Sequence, residues 1–118
     1  MKKIIYLCVP YSHKSKKVRE HRAMQADLVA ARLMEMGHIV FSPISHSHRI
    51  EPFVRGRSRL NFWLEQDQPF LEIADEVAIL KLDGWDKSKG IAHEMLVAER
   101  LNKPIFYIEP DDFECGGG

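Results

Sequence analysis

The sequence comprises 118 residues, 45% hydrophobic and 29% charged, with 17 basic residues balanced by 17 acidic ones. A chain of this length makes one domain around one core, and no apolar run approaches the about 20 residues that a bilayer span needs, so a membrane-spanning role is excluded. Cys8 and Cys115 have neither the number nor the spacing of a disulfide framework or a zinc site, and no small-residue cleavage site follows the short apolar run at the start; a reducing, cytoplasmic setting is expected. Residues 1–59 hold 12 Lys/Arg against 4 Asp/Glu, whereas residues 60–118 hold 5 against 13. An anion-binding face and mutual neutralisation of two packed halves both account for that asymmetry. The whole chain is neutral and shows no nucleic-acid-binding module, so polymeric nucleic acid is not an expected partner.

In chain order, Lys3 to Val9 (KIIYLCV) is a near-continuous apolar run closed by Pro10, the pattern of a strand buried on both faces. From about Lys16 to Met36 apolar residues recur at helical spacing, with Met24, Leu28 and Ala31 on one line, Ala26, Val29 and Leu33 beside it, and Gly37 as the stop. His38 to Ser42 (HIVFS) is a second strand, and strand, helix, strand makes a right-handed parallel crossover. Ile44 to Ser58 reads as a loop. Arg59 to Ala74 is again helical in pattern, with Leu60, Trp63, Leu64, Phe70, Leu71 and Ala74 as its apolar positions. Pro69 should kink or restart this helix, with Asp67 capping the restarted turn. Val77 to Leu82 is a third strand, Asp83 to Lys87 a turn, Ser88 to Asn102 a helix, and Pro104 to Ile108 a fourth strand. The expected fold is α/β: a three-layer Rossmann-like, flavodoxin-like open parallel sheet of four to five strands with helices on both faces. Residues 1–110 form the domain, and the acidic, glycine-rich 111–118 a disordered tail.

Open parallel sheets bind ligands beyond the carboxyl ends of their strands, which selects Pro10–Lys16, Ser42–His48 and Asp83–Gly90. None carries G-x-G-x-x-G or G-x-x-x-x-G-K-[ST], so neither a dinucleotide fingerprint nor a P-loop is present. Ser88-Lys89-Gly90 opens a helix, whose free N–H groups suit an anion, although Ser88 is equally a good N-cap. Glu94 falls inside the apolar arc of Ile91, Met95, Val97, Ala98 and Leu101. A carboxylate aimed inward is costly to desolvate unless it is paired or used; both a working group and a salt bridge at the core edge fit. His46 and His48, if extended, face the same way, but no third ligand accompanies them and no metal or other cofactor is expected.

Tyr6-Leu7-Cys8 at the end of the first strand, Asp67 ahead of Ala74-Asp75, and Ser88-x-Gly90-x-x-x-Glu94 resemble the nucleoside 2-deoxyribosyltransferase superfamily, near its 2′-deoxynucleoside 5′-monophosphate N-glycosidases and an uncharacterised bacterial and phage branch. The likeness runs from Lys3 to Ile108. It implies cleavage of the N-glycosidic bond of a nucleoside or its 5′-monophosphate, by hydrolysis or base transfer, with Glu94 as nucleophile, Asp67 assisting the leaving base and Tyr6 beside the sugar and the carboxylate. Ser88 and Gly90 match positions that hold a 5′-phosphate or 5′-hydroxyl. Pro10 and Ser12 stand where the monophosphate enzymes carry a serine and an arginine, which puts phosphate recognition in question. Tyr11, Ser12, His46 and, by stacking on a base, Trp85 complete the expected substrate site. The resemblance further implies a homodimer or higher homo-oligomer whose neighbours complete the pocket. A catalytically idle nucleotide-binding sensor with the same fold is the alternative.

Overall fold

The computed structural model describes residues 2–56 and 59–113. Four strands, β1 (Ile4–Cys8), β2 (Ile39–Phe41), β3 (Glu76–Leu80) and β4 (Ile105–Ile108), form one sheet in the order β2-β1-β3-β4. All three pairings are parallel, in registers such as Tyr6 with Phe41 and with Val77. The parallel sheet is the fold class expected, and its strand order is that of flavodoxin-like sheets. Helices α1 (Lys16–Glu35), α2 (Pro43–Ser47), α3 (Arg59–Ile73) and α4 (Lys89–Arg100) connect the strands.

The period of two along each strand divides the core. Ile5, Leu7, Val9, Ala78 and Leu80 pack with Ala26, Val29, Ala30 and Leu33 of α1, whereas Tyr6, Cys8, Val77 and Ile79 pack with Leu71 and Ala74 at the end of α3 and Ile91, Val97 and Ala98 of α4. Small alanines let α1 lie close to the sheet. Its buried line is Ala23, Ala26, Val29, Ala30 and Leu33; Met24, expected on the apolar face, is rotated outward and exposed. The ends of the elements are tied by side chains. Lys103 donates to the carbonyls of Glu72 and Ala74 at the end of α3, both at 2.6 Å, and Asp75 accepts from the Ile4 N–H at 2.8 Å. Lys3 pairs with Glu76 across the two oppositely charged halves.

Three local expectations change. The stretch after β2 is not all loop: Ser42 caps α2 by accepting from the Ser45 N–H, Pro43 occupies the first turn where its missing N–H costs nothing, and a 3-10 turn follows at Glu51–Phe53. Helix α3 runs through Pro69 without restarting, because losing one backbone bond does not outweigh the turns on either side. Asp67 is therefore an interior helical residue rather than a cap. The tail expected from 111 onward is ordered at its start, where Glu109 and Asp112 form a reciprocal capping box around the 3-10 turn Pro110–Asp112; residues 114–118 lie outside the described residues. No helix among the described residues is long and apolar enough to cross a membrane.

Candidate active site

From β1 the chain crosses to β2 on one side of the sheet, and β3 lies on the other. The connections therefore part at the C-terminal ends of β1 and β3, opening the crevice that such a reversal creates. A cavity of ≈ 620 Å³ occupies it. Its walls come from the loop after β1 (Val9, Tyr11, Ser12, His13), α1 (Arg19, Arg22), the α2 region (Pro43, Ile44, Ser47, His48, Glu51), α3 (Leu60, Trp63, Leu64, Asp67), and the start of α4 with its preceding turn (Gly84, Lys87, Ser88, Lys89, Gly90, Ile91, Glu94).

Glu94 stands one turn into α4, on the side shared with buried Ile91 and Ala98. Tyr6, 1% exposed and reaching from β1, donates its hydroxyl hydrogen to Glu94 Oε2 at 2.6 Å. Cys8, two residues along the same strand face, brings its thiol to the same carboxylate. Burial pushes the Glu94 carboxyl up to about 7, and the nearby Asp67 charge adds to the rise while the Tyr6 hydroxyl opposes it. Burial likewise pushes Asp67 up to about 6, and its Oδ1 is buried without a hydrogen-bond partner. Tyr6 and Cys8 are both raised above their ordinary values, chiefly by desolvation and then by the Glu94 charge. Two carboxyls in one cavity thus each resist ionisation, and the pair gives up its last proton only near neutrality.

The cavity is also lined by four basic side chains, Arg19, Arg22, Lys87 and Lys89. Arg22 donates to the Ser12 carbonyl at 3.1 Å and to the Asp83 carbonyl at 2.9 Å, so one guanidinium clamps the loop after β1 to the loop after β3. It fits beside Gly84, at φ +89°, because that residue has no Cβ; one there would meet Arg22 Nη2 at 2.9 Å. Arg19 donates to the His13 carbonyl. Tyr11 is hydrogen-bonded to His48 Nδ1 at 2.7 Å, which joins the first loop to the α2 region. Ser88 accepts from the Ile91 N–H at 3.2 Å and caps α4. Gly90 beside it is not demanded by the protein's own packing: a Cβ would meet only Ser88 Oγ at 3.8 Å and Leu60 Cδ1 at 4.0 Å, ordinary contacts.

The structure therefore gathers Glu94, Asp67, Ser88, Gly90, Tyr11 and Ser12 around one cavity, with Tyr6 beneath it. His46 and Trp85 are elsewhere. His46 is exposed and packs its ring 5.8 Å from Phe41, because α2 turns it away while His48 faces the cavity. Trp85 folds over the edge of the sheet, 5.6 Å from Tyr107 and under the Lys81 ammonium. Sequence reasoning missed Arg19, Arg22, Ser47 and Trp63. The arginines look like solvated helix positions, and Trp63 like a core residue. No group of three or more His, Cys, Asp or Glu among the described residues is arranged to hold a metal ion.

The family described as a domain of unknown function, DUF1937, matches residues 3–110. The chain belongs to that family. Among solved structures, a 2-deoxyribosyltransferase from the psychrotolerant bacterium Bacillus psychrosaccharolyticus is similar to this DUF1937 chain, at 27% identity and a TM-score of 0.63, over 91% of this chain and 72% of its own. No curated protein matches the sequence. The likeness to the deoxyribosyltransferase superfamily drawn from Tyr6, Asp67, Ser88, Gly90 and Glu94 thus extends to the fold.

Proposed function

We propose that this DUF1937 chain breaks the N-glycosidic bond of a deoxynucleoside 5′-monophosphate, with Glu94 as the nucleophile. The observation that carries the reading is the Glu94 carboxylate on the wall of the crevice at the sheet's reversal point, anchored from below by the Tyr6 hydroxyl at 2.6 Å. An anchored carboxylate in a desolvated wall suits attack on an anomeric carbon, where positive charge develops in the transition state. A Glu94 oxygen bonds to C1′ as the C1′–N bond breaks, and the bonding pair leaves on the base nitrogen. Asp67, held above the usual carboxylate range, supplies the proton that a poor leaving base needs. Water or a second base then attacks C1′, the ester to Glu94 breaks, and Asp67 takes up the proton that the incoming nucleophile releases.

Two carboxyls serve these roles only while one proton is shared between them. With the pair raised to about 6 and 7, the singly protonated pair peaks between those values; the minor fraction of it with the proton on Asp67 is the reactive form, and kcat/KM should fall on both sides. The cationic wall and the N-terminus of α4 support the monophosphate over the free nucleoside. Arg19 and Arg22 on α1 take the electrostatic part that Pro10 and Ser12 cannot. The same reading places the chain beside the monophosphate N-glycosidases of the superfamily, as a cytoplasmic homo-oligomer. The exposed apolar residues Phe62 and Ile73 of α3 and Leu96 of α4 favour self-association, and light scattering at working concentration tests it.

The enzymatic claim is tested by incubating the protein with each deoxynucleoside and its 5′-monophosphate and separating released base by chromatography. Base should appear with the parent and not with Glu94→Ala, and formate should restore part of the loss by filling the space of the missing carboxylate. Release by Glu94→Ala within tenfold of the parent, without formate, would refute the nucleophile.

A further inference from the structure

Buried polar atoms almost always find partners, because an unpaired one has lost its water and gained nothing. Three side-chain atoms among the described residues break this rule: Ser47 Oγ, Trp63 Nε1 and Asp67 Oδ1. All three belong to residues that line the same cavity, Ser47 from α2 and Trp63 and Asp67 from α3. A second feature coincides with them. Leu60, Trp63, Leu64 and Asp67 follow the i, i+3, i+4, i+7 spacing of a single helix face. That stripe lines the cavity, while α3 reaches the sheet core only further on, through Leu71 and Ala74. An apolar stripe that faces a void, and carries one unpartnered donor and one unpartnered acceptor a turn apart, is shaped for a flat molecule with polar edges.

We infer that this stripe and Ser47 form the subsite for the leaving base, and that Trp63 determines specificity by donating its indole N–H to an acceptor atom on that base. The inference rests on the glycosidic reading above and deepens it. Leu60 and Leu64 supply apolar contact to the faces of a heteroaromatic ring. Asp67 meets the ring nitrogen that takes the proton, and Trp63, one turn earlier, reads a second heteroatom on the same molecule. The indole ring is braced edge-on against Phe62, at 5.0 Å between ring centroids, while its Nε1 has no protein partner.

The test pairs a protein variant with substrate variants. Trp63→Phe keeps an aromatic ring and removes the donor. The parent and Trp63→Phe are compared on a purine deoxynucleoside 5′-monophosphate and on its 1-deaza, 3-deaza and 7-deaza analogues, each lacking one acceptor nitrogen, and on the matching pyrimidine substrates with and without a ring carbonyl. For the atom that Trp63 reads, its removal should lower kcat/KM of the parent tenfold or more but change that of Trp63→Phe less than threefold. Equal penalties in both proteins at every position overturn the inference. Should Trp63→Phe fail to fold, Trp85→Phe leaves Trp63 as the sole tryptophan of the two in the chain. Its emission should then shift on saturation with the monophosphate, and an unchanged spectrum at saturation would be equally decisive against it. If the parent releases no base from any substrate, the glycosidic reading itself falls, whereas base release with no Trp63 effect defeats the subsite alone.

Discussion

Replacing Glu94 by Gln should make the protein more stable while removing its activity. In the folded state burial lifts this carboxyl from about 4.5 to about 7, so the native protein binds its proton more tightly than the unfolded chain does. Below about pH 4.5 both states are protonated and the residue costs nothing. As pH rises toward 7 the unfolded chain gains from ionisation that the folded state resists, so stability falls and then levels off above the folded value. A rise of this size corresponds to ~3 kcal/mol at about 1.4 kcal/mol per pH unit. Glu94 is only half-buried where it meets the open cavity, so a discounted range of about 1–3 kcal/mol is expected. The glutamine keeps a carbonyl oxygen for the Tyr6 hydroxyl, leaving that contact intact. For a domain of this length, at about 4 °C per kcal/mol, the gain amounts to roughly 4–12 °C in melting temperature. Thermal denaturation of parent and Glu94→Gln at pH 8 and at pH 4.5 checks it: the variant should melt higher at pH 8, and the difference should shrink toward zero at pH 4.5. A variant that melts below the parent at pH 8, or an equal gain at both pH values, would show that Glu94 is not a desolvated carboxylate.

Tyr6→Phe removes a hydrogen bond that favours ionised Glu94. Glu94, the higher of the pair, sets the alkaline limb of the kcat/KM profile, which should therefore move upward by about one pH unit, with kcat down on the order of tenfold; an unmoved alkaline limb would separate Tyr6 from the titration of Glu94. Gly90→Ala meets only ordinary contacts within the protein and gains helix propensity, so stability should rise slightly, by about 1 kcal/mol or less. The added methyl lies on the cavity wall, so if the substrate sits there KM should rise tenfold or more, and an unchanged KM would place the substrate elsewhere. If the cationic wall and the α4 N-terminus hold a 5′-phosphate, kcat/KM for the monophosphate should exceed that of the nucleoside by about a hundredfold or more, since several charge-assisted hydrogen bonds disappear together. Equal values, with no response to Arg19→Met, would remove the phosphate from the site.

The layered parallel fold was legible in the chain because each buried strand, such as Ile4–Cys8, is a short apolar run closed by a breaker, and because parallel strands must alternate with helices. Glu94 was legible for a related reason: a charge inside the apolar arc of α4 contradicts its surroundings wherever the helix packs. Ser88 as the cap of that helix followed from local chemistry alone. What tertiary structure decided was direction. His46 and His48 share a face in an extended chain but are separated by about 200° around a helix, and Ser42 and Pro43 start α2 there, so His48 turns to the cavity and His46 away from it. Arg22 is a plain surface cation by pattern until the fold brings the carbonyls of Ser12 and Asp83 to it from loops 10 residues before and 61 residues after. Trp63 shows the limit most clearly. Periodicity reports that one side of α3 is apolar, but a stripe that lines a ligand cavity and one that fills a core have the same spacing, and only the position of α3 over the end of the sheet distinguishes them.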